Sequence, residues 1–283
     1  YGPRARLLAF DSVEQPVAAQ LGGSDPQALA QCARICADFG YAEVNLNCGC
    51  PSDRVQSGSF GACLMAEPAL VARCVKAMRD ATSLPVTVKH RIGLDDGASY
   101  AFVRDFVGTV AEGGCDVFIV HARNAVLKGL SPKENREVPP LNYDVVHDLA
   151  RDFPGLVFVV NGGIGDWRAV DRELAHVDGV MLGRLAYHDP WTLQQADARL
   201  FDAEPPVATR ADALRAFRPY VERQVARGVP LRAMTRHILG LYLGQPGGRR
   251  FRQILSDARR MRDEGIAVLD AALQAVEPMA ELA

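Results

Sequence analysis

Through the first two hundred residues, short apolar runs alternate with stripes of apolar residues at helical spacing. Six runs predict strands, at 17–21, 42–46, 85–91, 117–121, 156–160 and 179–183. Between them, Pro26–Phe39, Glu67–Ala81, Tyr100–Glu112, Tyr143–Asp152 and Trp167–Leu174 predict helices. The first carries Leu29, Ala33, Cys36 and Ala37 on one stripe, and the second Leu70, Val71, Cys74, Val75 and Met78. Apolar strands separated by single helices predict a parallel β/α architecture. Two forms compete, an open doubly wound sheet and a TIM (β/α)₈ barrel. No strand is followed by GxGxxG, which weighs against a dinucleotide-binding sheet. Polar or glycine residues end nearly every strand: Gln20, Asn45 to Cys50, Lys89 to Arg91, His121, Asn161 and Arg184. A barrel active site requires such a ring. Six strands fall short of eight, so one or two N-terminal βα units are expected to be missing ahead of Tyr1; a six-stranded open sheet is the rival.

From about Pro205 the pattern turns wholly helical. Leu214, Phe217, Val221 and Val225 line one predicted helix, and Leu231, Met234, Ile238 and Leu241 a second. Phe251, Ile254, Leu255, Ala258 and Met261 line a third, and Ala267–Val276 forms a fourth. The predicted organisation is a barrel over 1–205 and an all-helical bundle over 206–283.

Charge sharpens this division. The net charge of −2 conceals an asymmetry. Residues 208–264 hold thirteen arginines, no lysine and five acids, so the remainder of the chain carries −10. Arg252 and Arg259 fall on one flank of the third predicted helix, off its apolar stripe. A solvated face would explain them, but a complete preference for the planar guanidinium favours a nucleic-acid partner. The pattern alone does not separate RNA from DNA or an acidic protein.

No run of 18 uncharged apolar residues exists, so no membrane span is predicted. All seven cysteines lie within the first 115 residues, and their odd number with no CxxC pair fits reduced, cytoplasmic thiols rather than disulfides, zinc or iron–sulfur. One of them, Cys50, stands in the run Asn45-Leu46-Asn47-Cys48-Gly49-Cys50-Pro51-Ser52 directly after a strand, with Gly49 and Pro51 expected to shape a tight turn. A thiol there serves as nucleophile, general acid or packing group, and Cys48 and Cys63 compete with it. An ordinary thiol is mostly protonated at neutral pH, which suits proton donation. Lys89 shares a strand face with Arg91, pointing at the barrel mouth, where it needs an anionic or electron-rich partner or a structural salt bridge. His121 ends the next strand and reads equally as a core histidine. Asn161-Gly162-Gly163 and Gly183-Arg184 end the last two strands, where barrels often hold phosphate.

Several of these runs also resemble a known family. Asn45–Pro51, Ser52-Asp53-Arg54-Val55-Gln56, Gly61-Ala62-Cys63-Leu64, Val86–Gly93, His121-Ala122-Arg123, Leu130–Leu141, Asn161-Gly162-Gly163 and Asp178–Arg184 together look like the tRNA-dihydrouridine synthase signature. The resemblance runs from about Tyr1 to Arg260 and is closest to the bacterial branch that modifies positions 20 and 20a of the D-loop. It implies an FMN-bound TIM barrel followed by a helical tRNA-binding domain. It implies reduction of the C5=C6 bond of a tRNA uridine, with NADPH reloading the flavin. Cys50 then matches the proton-donating cysteine, Asn47 a residue near uracil and flavin, and Gln20, Lys89 and His121 the flavin contacts. Arg136, in Asn135-Arg136-Glu137, matches the arginine that positions the target uridine. The family's opening Ala-Pro-Met strand has no counterpart. A monomer that binds neither DNA nor membrane is expected. The alternatives are an FMN oxidoreductase of a small metabolite, similar to dihydroorotate dehydrogenase, and a non-enzymatic RNA-binding protein.

Overall fold

A computed structural model describes residues 2–52, 58, 60–95 and 99–277, so Asp53-Arg54-Val55-Gln56 of the resemblance lies outside the described residues. The chain forms two compact units, Tyr1–Met181 and Leu182–Ala283.

In the first unit, a short helix α1 (Arg4–Leu8) precedes six strands: β1 (Ala18–Leu21), β2 (Glu43–Cys48), β3 (Val86–Arg91), β4 (Val117–His121), β5 (Val157–Asn161) and β6 (Gly179–Met181). Helices α2 (Pro26–Asp38), α3 (Pro68–Ala81), α4 (Tyr100–Glu112), α5 (Tyr143–Asp152) and α6 (Trp167–Leu174) alternate with them. All strand pairs are parallel, in the sequential order β1-β2-β3-β4-β5-β6. A doubly wound sheet doubles back at a switch point. Here each strand lies beside its neighbour in sequence, which is the order of a barrel wall.

Local chemistry sets the helix starts. The Asp25 carboxylate accepts from the Ala28 N–H at 2.7 Å with Pro26 in the first turn, and Asp166 accepts from Ala169 at 2.8 Å. Period two then sorts the strand side chains. Val44, Leu46, Cys48, Val88, Phe118, Val120, Phe158 and Val160 are buried in one core with Val71, Val75 and Met78 of α3 and Phe106 and Val110 of α4. His90 belongs to that core. It sits fully buried against Phe106 and Phe118, at 5.1 and 5.8 Å between centroids, and its Nδ1 donates to the Arg91 carbonyl at 2.6 Å. Burial pushes it down to about 4, so it is a neutral aromatic member of the packing. The opposite strand face carries Gln20, Asn45, Asn47, Thr87, Lys89, Arg91, His121 and Asn161.

The second unit is helical: α7 (Arg184–His188), α8 (Ala196–Leu200), α9 (Arg210–Ala226), α10 (Arg232–Thr235), α11 (Gly248–Ser256), α12 (Ala258–Glu264) and α13 (Val268–Gln274). Its core gathers Leu214, Val221, Phe251, Ile254, Leu255, Val268 and Leu269. The unit begins earlier than residue 206, because Trp191 packs against that core. Two predicted helices are shorter than their periodicity. The second ends at Thr235, and turns follow up to Gly247. Gly240 packs so tightly there that a Cβ would lie 2.0 Å from the His188 carbonyl oxygen, and Gly244 and Gly247 take left-handed φ of 71° and 74°. The third breaks at Asp257, whose carboxylate accepts from the N–H groups of Arg259 and Arg260 at 2.8 and 3.2 Å and starts α12. Arg252 and Arg259 therefore stand on two helices rather than on one flank. Among the described residues no helix is long and apolar enough to cross a membrane.

Candidate active site

The C-terminal ends of β2 and β3 bring the first group of residues together. Pairing sets Gln20 beside Asn45, and Asn47 beside Lys89. The turn that carries Cys50 is shaped by a side chain rather than by glycine strain. Asn47 Oδ1 accepts from the Gly49 N–H at 2.9 Å and from the Cys50 N–H at 3.1 Å. Gly49 has an ordinary φ, and a Cβ there would approach the His90 backbone no closer than 3.5 Å. An Asx turn of this type bends the chain sharply after the strand.

Three cysteines compete on sequence, and their surroundings differ. Cys48 points to the opposite face and is fully buried, with burial holding its thiol well above the ordinary value. Cys63 donates to the Phe60 carbonyl at 3.0 Å, and burial raises its thiol also. Cys50 is half-buried, and its Sγ lies 3.4 Å from the Ser52 hydroxyl. Of the three it is the one that follows a strand end on the Asx turn, with the Ser52 hydroxyl beside its sulfur.

Lys89 lies largely buried, and its Nζ donates to Asn161 Oδ1 at 3.1 Å. Asn161 is itself fixed by its Nδ2, which donates to the Met181 carbonyl at 2.8 Å. Burial, then the nearby Arg91 charge, pushes Lys89 down to about 8. No carboxylate pairs with it among the described residues, so the structural salt bridge is absent there. A buried ammonium with three donors and one amide acceptor suits an electron-rich ring edge.

The glycines after β5 are explained by protein neighbours. A Cβ on Gly162 would fall 2.5 Å from His121 Cδ2, and one on Gly163 would fall 2.4 Å from Leu141 Cδ1. Both have positive φ, 113° and 69°. Gly162 thus lets the buried His121 close against the strand end, and its carbonyl accepts from the Tyr143 hydroxyl at 2.6 Å. For Gly183 no described atom lies within 4 Å of a Cβ position, so steric crowding does not demand glycine there. Gly183 and Arg184 belong to the second unit, with Arg184 exposed.

Sequence reasoning gives Arg91 no role beyond sharing a face with Lys89. It is buried at 4% exposure, and burial lowers it to about 10. Its Nε donates to the Gly49 carbonyl at 3.2 Å, and its Nη1 to the carbonyls of Asn124 at 3.1 Å and Asn135 at 2.8 Å. One guanidinium therefore ties the Cys50 turn to the loop bearing Arg136. Arg123 holds the same loop through the Pro139 and Glu137 carbonyls. The buried Asn135 side chain closes it, accepting from the Val126 N–H at 2.8 Å and donating to the Val126 carbonyl at 2.9 Å. Arg136 itself is exposed at the loop surface. The signal for Arg91 is the face it shares with Lys89, but its three acceptors come from distant loops.

In the second unit, two groups of arginines differ in their pairing. Arg215, Arg218, Arg260 and Arg262 pair with carboxylates. The guanidinium groups of Arg249, Arg250, Arg252 and Arg259 form no salt bridge to a carboxylate among the described residues, although the Asp257 carboxylate lies near Arg259. All of these but Arg252, which is half-buried, are exposed.

A family model described as dihydrouridine synthase (Dus) matches residues 3–277. The chain is 57% identical over 274 residues to a tRNA-dihydrouridine(20/20a) synthase of Xanthomonas axonopodis pv. citri, covering 97% of this chain and 81% of that protein. It is 56% identical over 274 residues to the protein of that name from Pseudomonas aeruginosa, covering 97% and 82%. It is 52% identical over 275 residues to the one from Synechocystis, covering 97% and 82%.

Proposed function

The chain belongs to the dihydrouridine synthase family, and on that premise we propose that it reduces the C5=C6 bond of uridine at positions 20 and 20a of the tRNA D-loop to 5,6-dihydrouridine. FMN is its resident cofactor and NADPH the source of electrons. The observation that carries this reading is the meeting of Gln20, Asn47 and Lys89 on adjacent strand ends beside the Cys50 turn.

The residues present fit a flavin. Lys89 offers a buried positive charge, oriented by Asn161, to the electron-rich N1/O2 edge. Gln20 would supply amide contacts to the cofactor, and His121 would contact it as well. Asn161, Gly162 and Gly163 would add a binding segment at the end of β5. A bound flavin supplies the hydride for uracil C6. Cys50 delivers the thiol proton to C5, so its S–H bond breaks as the C5–H bond forms, and solvent then reprotonates the thiolate. Asn47 and Arg136 hold the uridine. Extruding that base from folded RNA costs a few kcal/mol, which the arginines of residues 206–283, Arg252 and Arg259 among them, offset through phosphate contacts. We further assign the six sequential parallel strands to the wall of a TIM barrel. A cytoplasmic, monomeric protein fits this reading.

The direct test is mass spectrometric mapping of dihydrouridine in tRNA from a deletion strain, with and without the full-length gene. Dihydrouridine at 20 and 20a that returns with the gene is the expected result, and its absence from both positions would overturn the assignment. The Lys89 charge gives a second test. A lysine near 8 is protonated below that value and neutral above it. Flavin affinity is therefore expected to fall as pH rises through about 8. In Lys89→Met affinity should be weaker at pH 7 and flat across that window. Identical pH curves for the two proteins, read by flavin fluorescence titration, would return Lys89 to a packing role.

A further inference from the structure

The inward face of β1, β2 and β3 carries one unbroken chain of side-chain hydrogen bonds, and all of its donors run the same way. The Gly49 and Cys50 N–H groups donate to Asn47 Oδ1 at 2.9 and 3.1 Å. Asn47 Nδ2 donates to Gln20 Oε1 at 3.1 Å, and Gln20 Nε2 to Asn45 Oδ1 at 2.8 Å. Asn45 Nδ2 donates to Thr87 Oγ1 at 2.7 Å, and the Thr87 hydroxyl to Glu43 Oε1 at 2.5 Å. Asn45 and Thr87 are buried, at 3% and 2% exposure, so water does not readily substitute for either partner.

The direction follows from hydrogen-bond stoichiometry. An ionised carboxylate only accepts, and a hydroxyl has one proton to give. Glu43 takes that proton, so Thr87 faces Asn45 with a lone pair. The Asn45 NH₂ group must then turn to Thr87, leaving its oxygen for Gln20. Gln20 must present its NH₂ group to Asn45 and its oxygen to Asn47. Asn47 is left with its oxygen for the Cys50 turn. Each amide nitrogen keeps a second N–H, so the edge that Gln20 and Asn47 offer to a ring is a donor edge.

We propose that Glu43, Thr87 and Asn45 are positioning residues, which fix the amide orientation of Gln20 and Asn47 and through them the turn that carries Cys50. The inference deepens the proposed function, since it rests on Gln20 and Asn47 as contacts for flavin and uracil. Bonds of this kind polarise one another, so breaking the middle of the chain is felt at its end.

The test compares Thr87→Val, which removes the hydroxyl and keeps the shape, with Thr87→Ser, which keeps the hydroxyl. In the full-length holoenzyme, Thr87→Val is expected to lower flavin affinity and kcat by about five- to tenfold, close to the worth of one net hydrogen bond. Thr87→Ser should restore both. Hydrogen exchange of peptides covering residues 46–52 supplies a readout without catalysis and should quicken by about the same factor in Thr87→Val alone. Glu43→Leu should match Thr87→Val, and the double variant should be no worse than either, because both cut one chain. Additive losses, wild-type exchange in Thr87→Val, or a Thr87→Ser as defective as Thr87→Val would each overturn the proposal. A wild-type protein that neither binds flavin nor reduces tRNA would overturn the functional reading, while the exchange comparison would still decide the orientation chain.

Discussion

Oxidation of the reduced flavin by unmodified tRNA is expected to slow by about 10²–10⁴-fold in Cys50→Ala, the usual worth of a positioned general acid. Flavin binding and flavin reduction by NADPH should stay near wild type, because neither uses the proton proposed to come from Cys50. The neighbouring cysteines make the controls. Cys48 points into the helix-packed core with no exposed surface, so Cys48→Ala leaves a cavity there and costs stability rather than chemistry. Cys63 has its thiol engaged with the Phe60 carbonyl at 3.0 Å, so Cys63→Ala should change the rate little. Single-turnover reoxidation by tRNA, on equal folded protein, separates the three. A wild-type rate in Cys50→Ala with a slow Cys48→Ala or Cys63→Ala would move the proton donor to another thiol.

The six strands and the five helices that alternate with them were legible in the sequence, because apolar faces packed into a shared core leave a strong pattern. All six predicted strands are present, and Tyr100–Glu112, Tyr143–Asp152 and Trp167–Leu174 match their predicted bounds. Lys89 lies near the end of the predicted strand β3 and Cys50 just after β2, so the pattern places both at the C-terminal end of the sheet. The connections between strands were not. Period two places Thr87 on the face of Lys89, but only the register Asn45↔Thr87 joins it to Gln20 and Glu43. The same holds for Arg91, whose acceptors lie 33, 42 and 44 residues away. In the helical unit, periodicity overran two breaks that local chemistry made. Asp257 starts a new helix because its carboxylate captures two N–H groups, and Gly240 fits where no side chain could. An apolar stripe continues across such a break, so Phe251 to Met261 read as one helix.

That break bears on tRNA binding. Arg252→Ala with Arg259→Ala is expected to weaken tRNA binding and to reduce the slope of log K against log salt by roughly 0.7 to 0.9 for each phosphate no longer neutralised. The structure puts the two residues on different helices, so their effects should be nearly independent and the two reductions in slope should add. Ion pairing supplies the contrast. Arg260 is held by Glu264 through Nε and Nη2, at 2.5 and 2.9 Å, and Arg262 lies 3.3 Å from Asp263. A guanidinium already facing a carboxylate must leave it before it meets a phosphate, so Arg260→Ala with Arg262→Ala should change the slope less. Both double variants alter the net charge equally, and a difference between them therefore reports direct phosphate engagement rather than overall field. NADPH oxidation by the flavin should be unchanged in both. Equal slopes in wild type and Arg252→Ala/Arg259→Ala, measured by filter binding across a salt series, would return these two arginines to a solvated surface and leave Arg249 and Arg250 as the next pair to test.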